Sequence, residues 1–92
     1  MSITKESAFL YVYSKQLTKV NKKIHEASKE MHEYTDKYHK ASEPEKKHKF
    51  QKKHHKINEE IKDLLKDHNA LLSRLKHHLV NFHDALGKQL KH

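Results

Sequence analysis

Apolar side chains recur every seven residues along the first half of the chain. Two such series, offset by three positions, consist of Ile3, Leu10, Leu17, Ile24, Met31 and Tyr38, and of Tyr13, Val20, Ala27, Tyr34 and Ala41. A heptad repeat with alternating spacings of three and four is typical of a coiled-coil seam. The pattern therefore predicts one long helix over about residues 3–41.

The repeat returns in the second half of the chain, after a turn-like segment. Its apolar members are Phe50, Ile57, Leu64 and Leu71, together with Ile61, Leu75 and Phe82. The intervening Ser42-Glu43-Pro44-Glu45 has the spacing of a capping box, and proline is tolerated in the first helical turn. We predict a turn at 42–45 and a second helix from about 45 to 87, which Gly87 frays or ends. Continuation of the tail, Lys88 to His92, as loose helix is the alternative.

If the chain folds back at this turn, the two stripes face each other. Paired residue numbers then add up to 88, so that Ile24 lies opposite Leu64. The predicted fold class is all-α: an antiparallel, coiled-coil-like two-helix hairpin that forms a single domain over residues 1–92. A three-helix alternative places a break near Asp67-His68-Asn69, because Asp and Asn favour helix caps. The seam crosses this segment without a change of phase, which favours two helices.

The predicted seam contains polar layers. Three of these layers contain a histidine of the second helix: His54 lies opposite Tyr34, His68 opposite Val20, and His78 opposite Leu10. In the fourth layer, Glu6 of the first helix lies opposite Phe82. Polar seam residues can fix the register of a coiled coil. A pH-sensing role is the alternative, because burial disfavours the charged imidazole. Stability would then be complete above a pH of about 6.5 and would fall as the pH drops below it.

A second apolar stripe lies one position beyond the seam of the second helix. The predicted interface residues on and around it are Leu65, Leu72, Leu79, Leu86, Leu90, Phe9 and Val12. A two-helix seam is too narrow to bury them, and burying one leucine side chain is worth roughly 1.5–3 kcal/mol. Exposed apolar patches of this kind mark interfaces. We predict a homodimer that forms a four-helix bundle; a groove for another protein's helix and a monomeric hairpin are the alternatives.

Positive charge is concentrated around the predicted turn. The formal net charge is +8, and residues 36–56 hold eight lysines against three acidic residues. The candidate anion-binding residues, which spread over most of the circumference of a helix, are Lys46, Lys47, Lys49, Lys52, Lys53 and Lys56. Lysine-rich surfaces bind nucleic-acid phosphates without sequence preference, and a single arginine, Arg74, argues against base-specific readout. A solvated face is the alternative.

Histidines and carboxylates offer a metal-binding alternative. The candidate ligands are His32, Asp36, His39, Glu45 and His48. Such side chains at helical spacing bind Zn, Ni or Cu. Chance spacings are common in a chain with 11 histidines, so we expect no resident cofactor.

Several other classes of protein are disfavoured by the sequence. The chain has no cysteine, which excludes disulfides and thiolate metal sites. It has no Gly-rich phosphate loop and no nucleophile elbow, so we expect no enzymatic activity. Without a long apolar run or a signal-peptide pattern, we expect a cytoplasmic protein that does not insert into membranes. The predicted function is a helical interaction or assembly protein with a leucine face and a basic tip.

Overall fold

The computed structural model describes residues 2–90. Within that range the chain forms two helices, α1 (Ile3–Lys40) and α2 (Pro44–Leu90), joined by residues 41–43. The all-α two-helix hairpin predicted from the heptad repeat is confirmed. The three-helix alternative is wrong, because α2 passes through residues 67–69 without interruption. No helix in the described range is both long and apolar enough to cross a membrane.

Ser2 caps the start of α1. Its backbone oxygen accepts a hydrogen bond from the Glu6 N–H at 3.0 Å, and its Oγ accepts one from the Lys5 N–H at 3.1 Å. A serine at this position satisfies amide groups that have no partner within the helix. At the other end, Lys37 and Lys40 place positive charge beside the last carbonyl groups, which complements the helix dipole.

The start of α2 differs from the prediction by one residue. The helix begins at Pro44, which places Glu43 rather than Ser42 at the N-cap. The backbone oxygen of Glu43 accepts the first helical hydrogen bond, from the Lys47 N–H at 3.0 Å. Proline suits the first helical position because its φ is already helical and that position needs no N–H donor.

The end of α2 follows the alternative in which the tail continues as helix, because the helix passes Gly87 and extends to Leu90. Gly87 therefore does not end it, and residues 91–92 of the predicted tail lie outside the described residues. A glycine ends a helix by adopting a left-handed conformation, and Gly87 has no positive φ.

The predicted seam matches the pattern of burial. None of its members within the described chain, from Ile3 to Phe82, is exposed. Ile57 and Leu71 are its buried apolar residues, and most of the others are half-buried. Two helices cover each other from one direction only, so the hydrophobic core is a single narrow line of side chains.

Contacts divide the hairpin into two compact units. Residues 2–20 and 67–90 form the first, which we name the terminal unit. Residues 21–66 form the second, which contains the turn and which we name the turn unit. Each unit consists of one stretch of α1 and one stretch of α2.

Candidate functional site

The helices of the terminal unit meet around His78. Its Nδ1 lies 2.7 Å from Glu6 Oε2, and the imidazole donates this hydrogen bond because an ionised carboxylate only accepts. Glu6 is 3% exposed. The predicted register places Glu6 opposite Phe82, and the Glu6 side chain reaches one turn toward the start of α2 to bond His78. The pH-sensing role of the seam histidines stays a hypothesis.

Aromatic rings enclose the His78 imidazole. The Phe9 ring stacks on it with centroids 4.4 Å apart, and the Tyr13 ring lies 5.4 Å away. Glu6, Phe9 and Tyr13 stand at i, i+3 and i+7 of α1, which are three corners of the hole that receives one side chain in coiled-coil packing. Leu10 occupies the fourth corner position, so this contact agrees with the predicted register.

Two grooves flank the seam of the turn unit, and their chemistry differs. One groove has no Lys, Arg, Asp or Glu side chain and is lined by Tyr34, Thr35, Tyr38, His39, Gln51 and His54. The other is rich in charge and is lined by Glu30, Tyr34, Lys53, Lys56, Ile57 and Glu60. The two sides of the hairpin are therefore chemically distinct in this unit.

Heptad positions explain this division. With the seam at positions a and d, Thr35 and Gln51 both occupy e, whereas Lys53 and Glu60 both occupy g. In an antiparallel hairpin the e positions of both helices lie on one side of the seam and the g positions on the other. This follows because both helices are right-handed and run in opposite directions.

The same rule shows which residues of the terminal unit lie on each side of its seam. The e positions hold leucines in α2 and serines in α1, and a tyrosine stands at the neighbouring b position of α1. We call this side the leucine flank; its members are Ser7, Tyr11, Ser14, Leu72, Leu79, Leu86 and Leu90. Leu79, Leu86 and Leu90 are 54%, 39% and 78% exposed, while Leu72 is half-buried.

Two residues that the sequence pattern grouped with the leucines lie on the other side of the seam. Phe9 occupies a g position and is half-buried against His78. Val12 occupies a c position and is exposed on that side. Leu65 is exposed in the turn unit, at an e position.

Tyr11, which the sequence pattern overlooked, is the most exposed aromatic residue of the described chain, at 64%. It lies on the leucine flank because position b neighbours position e on a helix of 3.6 residues per turn. Its heptad position is the signal that would have found it. Across the e and b positions of the described terminal unit, Lys76 is the one residue with a formal charge.

The candidate anion-binding lysines do not spread evenly around α2. Lys46, Lys49, Lys53 and Lys56 recur at spacings of three and four and fall on positions g and c. Lys37 and Lys40 of α1 occupy the same two positions across the seam. Farther from the turn, the same positions also hold acidic residues, among them Glu30 and Glu60. We call the six lysines nearest the turn on this side the lysine flank; its members are Lys37, Lys40, Lys46, Lys49, Lys53 and Lys56.

The two remaining candidate lysines have other surroundings. Lys47 is half-buried, with its Nζ 5.5 Å from the centre of the Tyr38 ring. Lys52 is exposed at position f, opposite the seam. Neither belongs to the lysine flank.

The candidate metal ligands do not come together. His32 Nε2 lies 4.0 Å from Asp36 Oδ2, and both side chains are exposed. Within the described residues, no group of three or more His, Cys, Asp or Glu side chains is placed to hold a metal ion. His39, Glu45 and His48 therefore complete no site with that pair.

The remaining source of functional information is similarity to other proteins. Comparison of the chain with protein-family models, with curated proteins and with solved structures gives no match.

Proposed function

We propose that this protein is a non-enzymatic helical assembly protein whose hairpins associate in pairs through the leucine flank to form a four-helix bundle. The observation that supports this proposal is the exposure of three leucines on one side of the terminal unit. A helix in a bundle has an apolar stripe that includes a, d and e positions, which is wider than a two-helix seam requires. A second hairpin would cover that additional width.

The distribution of charge favours a second copy as the occupant of this surface. Two chains that each carry a net charge of +8 repel each other. Contact through the leucine flank brings few like charges together, because Lys76 is the one charged residue at its e and b positions. The opposite side of the terminal unit carries charges of both signs, including Lys5, Arg74 and Asp84.

The sizes of the side chains on the leucine flank also suit packing against a second copy. Ser7 and Ser14 are small, whereas Leu79 and Leu86 at the matching positions of α2 are large. A two-fold axis can place the leucines of one copy against the serines of the other, so that large and small side chains interdigitate.

Sedimentation equilibrium of the parent chain and of a Leu79→Glu, Leu86→Glu double variant tests the proposal. We expect the parent to have the mass of two chains. The substitution removes four leucines from a dimer of two identical chains, and each is about half exposed in the hairpin. At about half of 1.5–3 kcal/mol for each, the contact loses about 3–6 kcal/mol, so the Kd should rise at least roughly 100-fold.

Val12→Glu is the control, because it also places a glutamate at an exposed apolar position, but on the other side of the seam. We expect this variant to remain a dimer. A monomeric parent would contradict self-association, and equal dissociation of both variants would show that the leucine flank is not the contact.

A further inference from the structure

The lysine flank presents positive charge in a regular row. Lys46, Lys49, Lys53 and Lys56 span ten residues of α2, which is about 15 Å at 1.5 Å per residue. Their spacings of three and four keep the Cα atoms on one side of the helix. Lys37 and Lys40 add charge from α1 on the same side of the turn unit.

The flank lysines form no close ion pair within the described residues. Glu30 and Glu60 line the same groove as Lys53 and Lys56, but the one close lysine–carboxylate pair in the described range joins Lys62 to Glu59. Lys37 Nζ and Lys53 Nζ lie 5.1 Å and 5.4 Å from the centre of the Tyr34 ring. A cation over an aromatic face keeps its charge and its N–H donors.

From this arrangement we propose that the lysine flank binds the phosphodiester backbone of double-stranded nucleic acid without sequence preference. A B-form duplex carries one phosphate charge per about 1.7 Å of its axis, or about nine over 15 Å. That density exceeds the density of lysines in the row, so the number of phosphates does not limit the number of lysine contacts. Lysine acts as a point charge and suits backbone contacts rather than base readout.

The surroundings of the row favour a duplex over the other polyanions. Proteins that bind single strands offer exposed aromatic faces on which bases stack, but the half-buried Tyr34 ring lies against Phe50, with centroids 6.3 Å apart, and between two lysines. An anionic membrane binds amphipathic helices that insert apolar side chains. The exposed large apolar residue of the turn unit is Leu65, at an e position, on the opposite side of the seam.

Fluorescence anisotropy with two unrelated 20-base-pair duplexes, at 50 to 300 mM NaCl, tests the proposal. We expect similar affinity for both duplexes. The four phosphate contacts of the row contribute about −3.6 to the slope in a plot of log affinity against log salt concentration. The variant K46Q/K49Q/K53Q/K56Q should bind at least about tenfold more weakly at low salt, with a slope no steeper than about −1.8, the share of the remaining Lys37 and Lys40.

A second quadruple variant controls for net charge. K15Q/K19Q/K22Q/K29Q removes the same charge from α1, outside the lysine flank, and should keep the affinity and most of the slope. Glutamine favours helix about as well as lysine, so circular dichroism should show both variants fully helical. Equal loss of binding in both variants would replace the proposed site with a general charge effect.

Two further results would overturn the proposal. One is the absence of duplex binding by the parent at 50 mM NaCl. The other is stronger binding to a single strand, or to vesicles containing phosphatidylserine, than to the duplexes. The proposal does not depend on self-association, because the Leu79→Glu, Leu86→Glu variant, designed to dissociate, keeps every lysine of the flank and should still bind the duplexes.

Discussion

Glu6 is the one charged side chain that is buried within the described part of the chain. The free-energy cost of removing the Glu6 carboxylate from water is offset by the hydrogen bond from His78 at 2.7 Å. Phe9 and Tyr13 stack on the same imidazole and limit access of water to the pair. This cluster therefore acts as a polar layer that fixes how the two helices of the terminal unit align.

Replacing Glu6 should destabilise the hairpin. In Glu6→Ala the half-buried His78 N–H loses its acceptor, and we expect the free energy of unfolding to fall by about 1–3 kcal/mol. Urea unfolding followed by far-UV circular dichroism measures this change. Glu6→Gln is the control, since its amide oxygen still accepts a hydrogen bond, and it should lose less. An alanine variant as stable as the parent would show that the pair contributes nothing.

The helices themselves follow from local features of the sequence. Ser2 and Pro44 define the two helix starts through capping and a preset φ. The heptad repeat predicts the seam because the same geometry repeats along any helix, and the burial of Ile57 and Leu71 agrees with it. Gly87 shows the limit of such signals: a glycine permits a helix to end but does not require it.

Because Gly87 lies inside α2, a side chain there should stabilise the protein. A Cβ at this position meets no heavy atom within 4 Å, and alanine reduces the conformational entropy of the unfolded chain. We expect Gly87→Ala to raise the free energy of unfolding by about 0.5–1 kcal/mol.

The reverse substitution at an exposed helical position serves as the control for Gly87→Ala. Ala70→Gly, also in the described terminal unit, should lower the free energy of unfolding by a similar amount. Thermal and urea unfolding of both variants measure the two effects. A loss of stability in Gly87→Ala would mean that the helix end is not formed as described.

For the molecule as a whole, association and folding should be linked. If a second copy binds only the folded hairpin, mass action stabilises the fold as concentration rises. We therefore expect the Tm of the parent to rise over a 100-fold range of protein concentration. The Leu79→Glu, Leu86→Glu variant should have a Tm that does not change with concentration, and a concentration-independent Tm in the parent would argue against the dimer.

The contrast between sides of the seam is the feature that connects both proposals to the fold. In the terminal unit one side exposes leucines and little charge, and in the turn unit one side carries a row of lysines. Both arise from residues that flank the seam, at positions that a two-helix hairpin leaves open. These positions have little role in folding the hairpin, which leaves them free to serve contacts with other molecules.

The number of helices, their approximate limits and the members of the seam could be read from the residue pattern, because helical periodicity is a local property of the backbone. The hydrogen bond between Glu6 and His78 could not be read from that pattern, because it depends on how far the two side chains reach across the seam. The positions of Phe9 and Val12, away from the leucines, depend on which side of an antiparallel pair each heptad position faces. That is set by the relative direction of two helices, which neither helix encodes alone.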